Sequence, residues 1–157
     1  MSERVDTSSR LIHAPASAIY RAFATSGALE AWLPPEGMTG NMVALDFREG
    51  GSYRMRLTYA DPRHAPGKTS EDADEVEVRF VGLVPGARIE QAVTFDSDDA
   101  DFSGEMRIVW TFDHAPDGTL VTVRCEHVPR GIRAEDHRAG LASTLAHLAA
   151  FVEGSAG

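Results

Sequence analysis

Between Val43 and Cys125 the chain repeatedly alternates apolar and polar residues, and this period of two constrains the fold more than any other feature. Val43, Leu45 and Phe47 alternate with Ala44, Asp46 and Arg48. Tyr53, Met55, Leu57 and Tyr59 alternate with Arg54, Arg56 and Thr58. The pattern returns at Val76-Val78-Phe80, at Ile89-Gln91-Val93-Phe95, at Met106-Ile108-Trp110-Phe112 and at Val121-Val123-Cys125. Successive side chains of a strand point to opposite faces, so each stretch predicts a strand with one buried and one wet face. Glu49-Gly50-Gly51, Pro85-Gly86 and Pro116-Asp117-Gly118 carry turn residues, and strands joined by short turns pair antiparallel. Arginines 54, 56, 79, 88, 107 and 124 and glutamates 75, 77, 90 and 105 fall on the expected outer face, where cross-strand ion pairs contribute under about 1 kcal/mol each.

The period becomes helical on both sides of this region. After an extended stretch from Val5 to His13, Pro15 suits a first helical turn, and Ile19 and Phe23 share a helix face. Thr25-Ser26-Gly27 interrupts that helix, and a second one carries Leu29, Trp32 and Leu33 before Pro34-Pro35 ends it. Pro129-Arg130-Gly131 ends the sheet pattern, and one helix is expected from Ala134 to Val152 with Leu141, Leu145, Leu148 and Val152 in a stripe. Gly140 within it costs about 1 kcal/mol relative to alanine, which a close approach to the sheet would explain. The order of strand, two short helices, six strands and a long helix predicts an α+β fold: a curved antiparallel sheet of about seven strands wrapped on a long C-terminal helix. The 157 residues fit a single domain.

A curled sheet gripping a helix need not fill its hollow, and its inward positions include polar and aromatic groups. A small apolar ligand between sheet and helix is therefore the expected partner, with Trp32, Tyr53, Met55, Tyr59, Phe80, Gln91, Trp110, Cys125, His137, Leu141 and Leu145 as its wall. Gln91 is the most informative of these, because an inward amide among Ile89, Val93 and Phe95 needs a hydrogen-bond partner. Trp32 with Pro34-Pro35 reads either as a gate or as a plug at the barrel end. Cys125 and His127 share a strand face but stand roughly 6.5–7 Å apart along it, too far for a nucleophile–base hydrogen bond. No catalytic set, metal site or cofactor is legible. Asp96, Asp98, Asp99 and Asp101 resemble a calcium loop only superficially, because Asp101 and Arg107 stand where that loop requires glycine and glutamate.

The net charge of −9 opposes contact with nucleic-acid phosphates and anionic lipid. No apolar run approaches the ~20 residues of a membrane span, and MSERVDTSSRLI has no apolar signal core. With Cys125 the only cysteine, a cytoplasmic location is expected. A homodimer is compatible with these features.

The chain resembles the activator-of-heat-shock-protein-ATPase-like proteins of the SRPBCC superfamily over nearly its whole length. The resemblance is carried by Ala14-Pro15 through Phe23, Trp32-Leu33-Pro34-Pro35 through Gly40, Arg48-Glu49-Gly50-Gly51-Ser52-Tyr53-Arg54-Met55, Gly67-Lys68-Thr69-Ser70-Glu71-Asp72, and Gly131-Ile132-Arg133 through Phe151. It implies the helix-grip, START-like fold. The functions it implies are ligand binding, an aromatase/cyclase-like activity on a hydrophobic or polyketide-like substrate, or a co-chaperone-type interaction. It supplies no catalytic residues, since fold alone does not fix function.

Overall fold

The structure, a computed structural model, describes residues 4–34, 38–59, 73–95 and 104–155. Its elements are β1 (Val5–Ile12), α1 (Ala16–Arg21), α2 (Ser26–Trp32), β2 (Met38–Leu45), β3 (Ser52–Tyr59), β4 (Ala73–Val84), β5 (Arg88–Phe95), β6 (Gly104–Ala115), β7 (Gly118–Glu126) and α3 (Ala134–Ser155). The seven strands form one antiparallel, curved sheet in the order β1-β7-β6-β5-β4-β3-β2. This is the helix-grip arrangement expected from the sequence. Strands β2 to β7 form a meander, and β1 pairs with the last of them. Because β1 and β2 are opposite edges, α1 and α2 link the two edges.

Local chemistry sets the helix ends. Pro15 precedes α1 in an extended conformation. The Thr25 hydroxyl caps α2 by accepting from the Ala28 amide at 3.3 Å. Glu30 then reaches from α2 to accept from the Met42 amide of β2 at 2.6 Å.

The long helix lies along the edge strand β1; its backbone makes no comparable approach to the middle strands. Two contacts fix this direction. His137, near the helix start, meets Asp6, and Glu153, near its end, accepts from the His13 amide at 2.9 Å. From Asp6 to His13 a strand advances about 24 Å, and from His137 to Glu153 a helix advances about the same. Helix and strand are thus matched in length.

Two expectations are corrected. Val43 is not inward: the β2–β3 register shifts between Met42 and Ala44, Val43 is the extra residue, and it is 55% exposed. Met42 and Leu45, opposite Met55 and Tyr53, face the core instead. Gly140 does not approach the sheet: it is exposed, and a Cβ there would meet nothing within 4 Å. Gly140→Ala should therefore stabilise the protein by about 0.5–1 kcal/mol, read as a higher urea midpoint at unchanged slope.

The outer face is charged as expected. Arg54 pairs with Glu77 at 3.2 Å, Arg79 with Glu105 at 3.1 Å and Arg124 with Glu126 at 2.9 Å, while Glu90 joins Arg88 and Arg107.

Candidate functional site

Directly paired residues of antiparallel strands share a face, so the register fixes the inner surface row by row. One row runs Asp6, Cys125, Ile108, Gln91, Phe80 across β1, β7, β6, β5 and β4. A neighbouring row runs Ser8, Val123, Trp110, Ile89. On its other side lie Met106, Val93, Val78, Tyr53 and Leu45. The candidates Tyr53, Met55, Phe80, Gln91, Trp110 and Cys125 therefore all belong to the inner face, and each is buried.

One end of this inner face is covered by aromatic rings. Phe23 stacks edge-on against Trp32 and Trp110, both at 5.0 Å, and Trp32 meets Trp110 at 6.1 Å. The Trp32 Nε1–H donates to the Ala22 carbonyl at 2.9 Å. Trp32 is thus a plug whose polar group is already used. On the helix, Leu145, Leu148 and Val152 are buried, whereas Leu141 and His137 are half-buried. On the sheet, Leu57, Val76, Val93 and Ile108 share faces with buried neighbours yet are themselves only half-buried. The inner face is therefore reached by solvent on the side of the first half of α3.

Gln91 is 4% exposed. Its Oε1 accepts from Trp110 Nε1 at 3.0 Å. An indole N–H can only donate, so the amide oxygen must face it and the NH2 group must point elsewhere. That NH2 has no partner among the described residues. The hydroxyl of Tyr53, whose ring lies 5.8 Å from Phe80, is likewise without a partner among them and is not fully enclosed. Burial pushes its pKa well above the usual phenol value, so Tyr53 is a neutral group able to donate.

Asp6 was not among the residues singled out from the sequence, yet it is the inner face's buried carboxylate, 2% exposed. Its Oδ2 lies 2.7 Å from His137 Nδ1 and 3.2 Å from Arg4 Nη2. The signal was present: counting back by twos from the buried Ile12 reaches Asp6. Apolar Val5 and Leu11, both exposed, pointed to the wrong face. Beside Asp6, burial and then the carboxylate push the Cys125 thiol up to about 12. Cys125 is a protonated, packed thiol at neutral pH, and His127, exposed at φ 60°, is no base for it.

Tyr59 ends β3, and its side chain lies outside the described residues, as do the loops 60–72 and 96–103. A cleft of about 350 Å3 between the start of α1 and the β6–β7 hairpin, lined by Pro15, Phe112, His114 and Thr119 among others, involves none of the candidate residues. Among the described residues no group of three or more His, Cys, Asp or Glu could hold a metal, and no helix is long and apolar enough to cross a membrane.

The chain is similar to known proteins along its whole length. A crystal structure of a protein from Chromobacterium violaceum shares 33% identity, covers 95% of this chain and 96% of its own, and superposes with a TM-score of 0.80. An AHSA1-like protein from Aeromonas hydrophila, at 14% identity, covers 98% and 94% with a TM-score of 0.76. A protein from Staphylococcus epidermidis, at 17% identity, covers 99% and 93% with a TM-score of 0.75. No curated protein matches the chain. The family model described as "Activator of Hsp90 ATPase homolog 1-like protein" matches residues 13–153, and by that match, over β2 to β7, the plug and nearly all of the gripped helix, the chain belongs to this family.

Proposed function

We propose that this protein binds a small, mostly apolar molecule between the sheet and α3, with its polar end on Gln91. The observation that carries this reading is the Gln91 amide: nearly wholly buried, oriented by Trp110, and left with an NH2 group that has no partner among the described residues. The NH2 nitrogen is not fully enclosed, so a carbonyl or ether oxygen on a ligand replaces water there, a net gain of about 0.5–1.5 kcal/mol. The Tyr53 hydroxyl one row away adds a second donor. Met55, Phe80, Trp110, Cys125, Leu141 and Leu145 supply the apolar wall, with Trp32 closing its far end. Such a mixture of apolar surface and few polar groups is the usual make-up of a small-molecule site.

A fluorescent naphthyl ketone, 6-propionyl-2-dimethylaminonaphthalene, tests the reading because its emission shifts in apolar surroundings and it carries one carbonyl. It is expected to bind the native protein, and Gln91→Leu should weaken it about five- to tenfold without changing the thermal midpoint by more than a few degrees. No binding, or binding indifferent to both Gln91→Leu and Tyr53→Phe, would remove the proposed wall.

The family description supports a second reading, a co-chaperone-type interaction domain. It predicts that the protein stimulates a heat-shock ATPase in a coupled assay. The described outer strand faces carry Arg–Glu pairs there in place of a broad apolar patch.

A further inference from the structure

The row that carries Gln91 ends, three strands away, at Asp6, and the helix lowers His137 onto it. Asp6, as a carboxylate, can only accept, so His137 Nδ1 carries the proton at the 2.7 Å contact. In its neutral form the imidazole is then fixed in one tautomer, with the lone pair on Nε2. Nε2 has no partner among the described residues, and the side chain is 15% exposed. The pair stands beside half-buried Leu141, on the side where solvent reaches the inner face.

Holding the helix to β1 does not require this arrangement. Leucines at both positions would pack without burying a carboxylate, and a buried ion pair is often no more stabilising than apolar residues of similar size. What the pair adds is an oriented acceptor. Its charge narrows the choice of ligand. With the imidazole neutral, the Arg4 guanidinium at 3.2 Å offsets the Asp6 carboxylate, and no net positive charge is left at the pair for an anion, in a chain of net charge −9. Asp6 and Gln91 stand three strand spacings apart, about 14 Å, with Cys125 and Ile108 between them on the same face, so a ligand that reaches both lies over those two side chains and has the length of about two fused rings with a short substituent at each end.

We infer that His137, positioned by Asp6, is the hydrogen-bond acceptor at the open end of this site, and that the ligand is an apolar, ring-sized molecule with a neutral hydroxyl at one end and a carbonyl-type acceptor at the other. The inference rests on the ligand-binding reading above and assigns the second pole of the same site.

Three probes of one shape separate the possibilities: 6-propionyl-2-naphthol, its methyl ether, and the 2-carboxylate analogue. The full-length protein should bind the naphthol about five- to tenfold more tightly than the ether, the expected gain from one net hydrogen bond, and the carboxylate weakest of the three. His137→Phe should bring naphthol and ether to equal affinity. His137→Gln, whose amide oxygen reaches close to the Nε2 position, should restore part of the preference. In 15N imidazole spectra of the native protein, His137 should show the Nδ1–H tautomer, and its Nε2 resonance should move with the naphthol but not with the ether. This measurement decides the matter even if His137→Phe fails to fold. Equal affinity of naphthol and ether in the native protein, with ether binding still dependent on Gln91, overturns this inference alone. Tightest binding of the carboxylate overturns it too. Binding of none of the three overturns the ligand-binding reading with it.

Discussion

Trp32→Ala is expected to destabilise the protein by about 3–5 kcal/mol, the range for removing a fully buried large aromatic side chain. Trp32 is 1% exposed, so nearly all of its surface is withdrawn from water. It also holds two separate parts of the molecule together. Its ring meets Phe23 of the α1–α2 segment and Trp110 of β6, and its N–H satisfies the Ala22 carbonyl where α1 ends. Alanine leaves a cavity bordered by aromatic rings that cannot collapse without moving α2 off the sheet, and it leaves that carbonyl to find another donor. In a chain of this size the loss corresponds to a fall of roughly 6–20 °C in thermal midpoint. Trp32→Phe separates the contributions. It keeps most of the packing and loses the hydrogen bond, so a smaller cost of about 1–2 kcal/mol is expected. Equal costs for the two substitutions would show that the bond, and not the ring, is what holds the plug. A cost below about 1 kcal/mol for Trp32→Ala would contradict the plug altogether.

The plug illustrates what could be read from residues alone. Trp32, Trp110 and Phe23 each fall on an apolar stripe of their own element, and burial of those stripes was legible. Their meeting was not, because it depends on how α1 and α2 travel from one edge of the sheet to the other. Gln91 was legible as an inward amide by parity. Its bond to Trp110, which decides where its NH2 points, follows from the β5–β6 register, and a turn of unknown geometry leaves register open. Asp6 was hidden for a different reason: on β1 the outer face carries apolar Val5 and Leu11 and the inner face a carboxylate, so alternation there reads backwards. Val43 failed through a bulge, which inserts one residue and reverses parity with no composition signal at that point. Gly140 failed because a helical glycine invites a packing explanation, and this one faces solvent.

The second large effect is expected at Gly118, the third residue of the Pro116-Asp117-Gly118 turn that the sequence announced. There φ is 156°, and an added Cβ would lie 2.2 Å from the Ile12 carbonyl oxygen and 3.0 Å from His13 Cα. Both are backbone atoms, so no side chain can swing aside to make room. The close approach is what lets β1 end against β7. Next to it the Thr119 hydroxyl donates to the Ala14 carbonyl at 2.8 Å, and the His13 ring donates from Nδ1 to the Asp117 carbonyl at 3.1 Å. The His13 amide in turn donates to Glu153 at the far end of α3. Moving the Ile12–His13 backbone by the ångström or more that alanine demands disturbs this whole clasp. Gly118→Ala should cost about 2–4 kcal/mol, combining overpacking with backbone strain. Gly86→Ala is the control: its φ is 71°, but nothing lies within 4 Å of the added carbon, so only the conformational cost of about 1 kcal/mol is expected. Chemical unfolding of the two variants measures the difference directly, and similar midpoints would mean that Gly118 is kept for its dihedral angle and not for the clasp. Because this clasp secures the opposite end of β1 from Asp6, the folded fraction of Gly118→Ala should bind the naphthyl ketone as the native protein does, whereas Gln91→Leu should lose affinity at nearly native stability. That reciprocal pattern separates the residues that hold the helix in place from those on the inner face of the sheet.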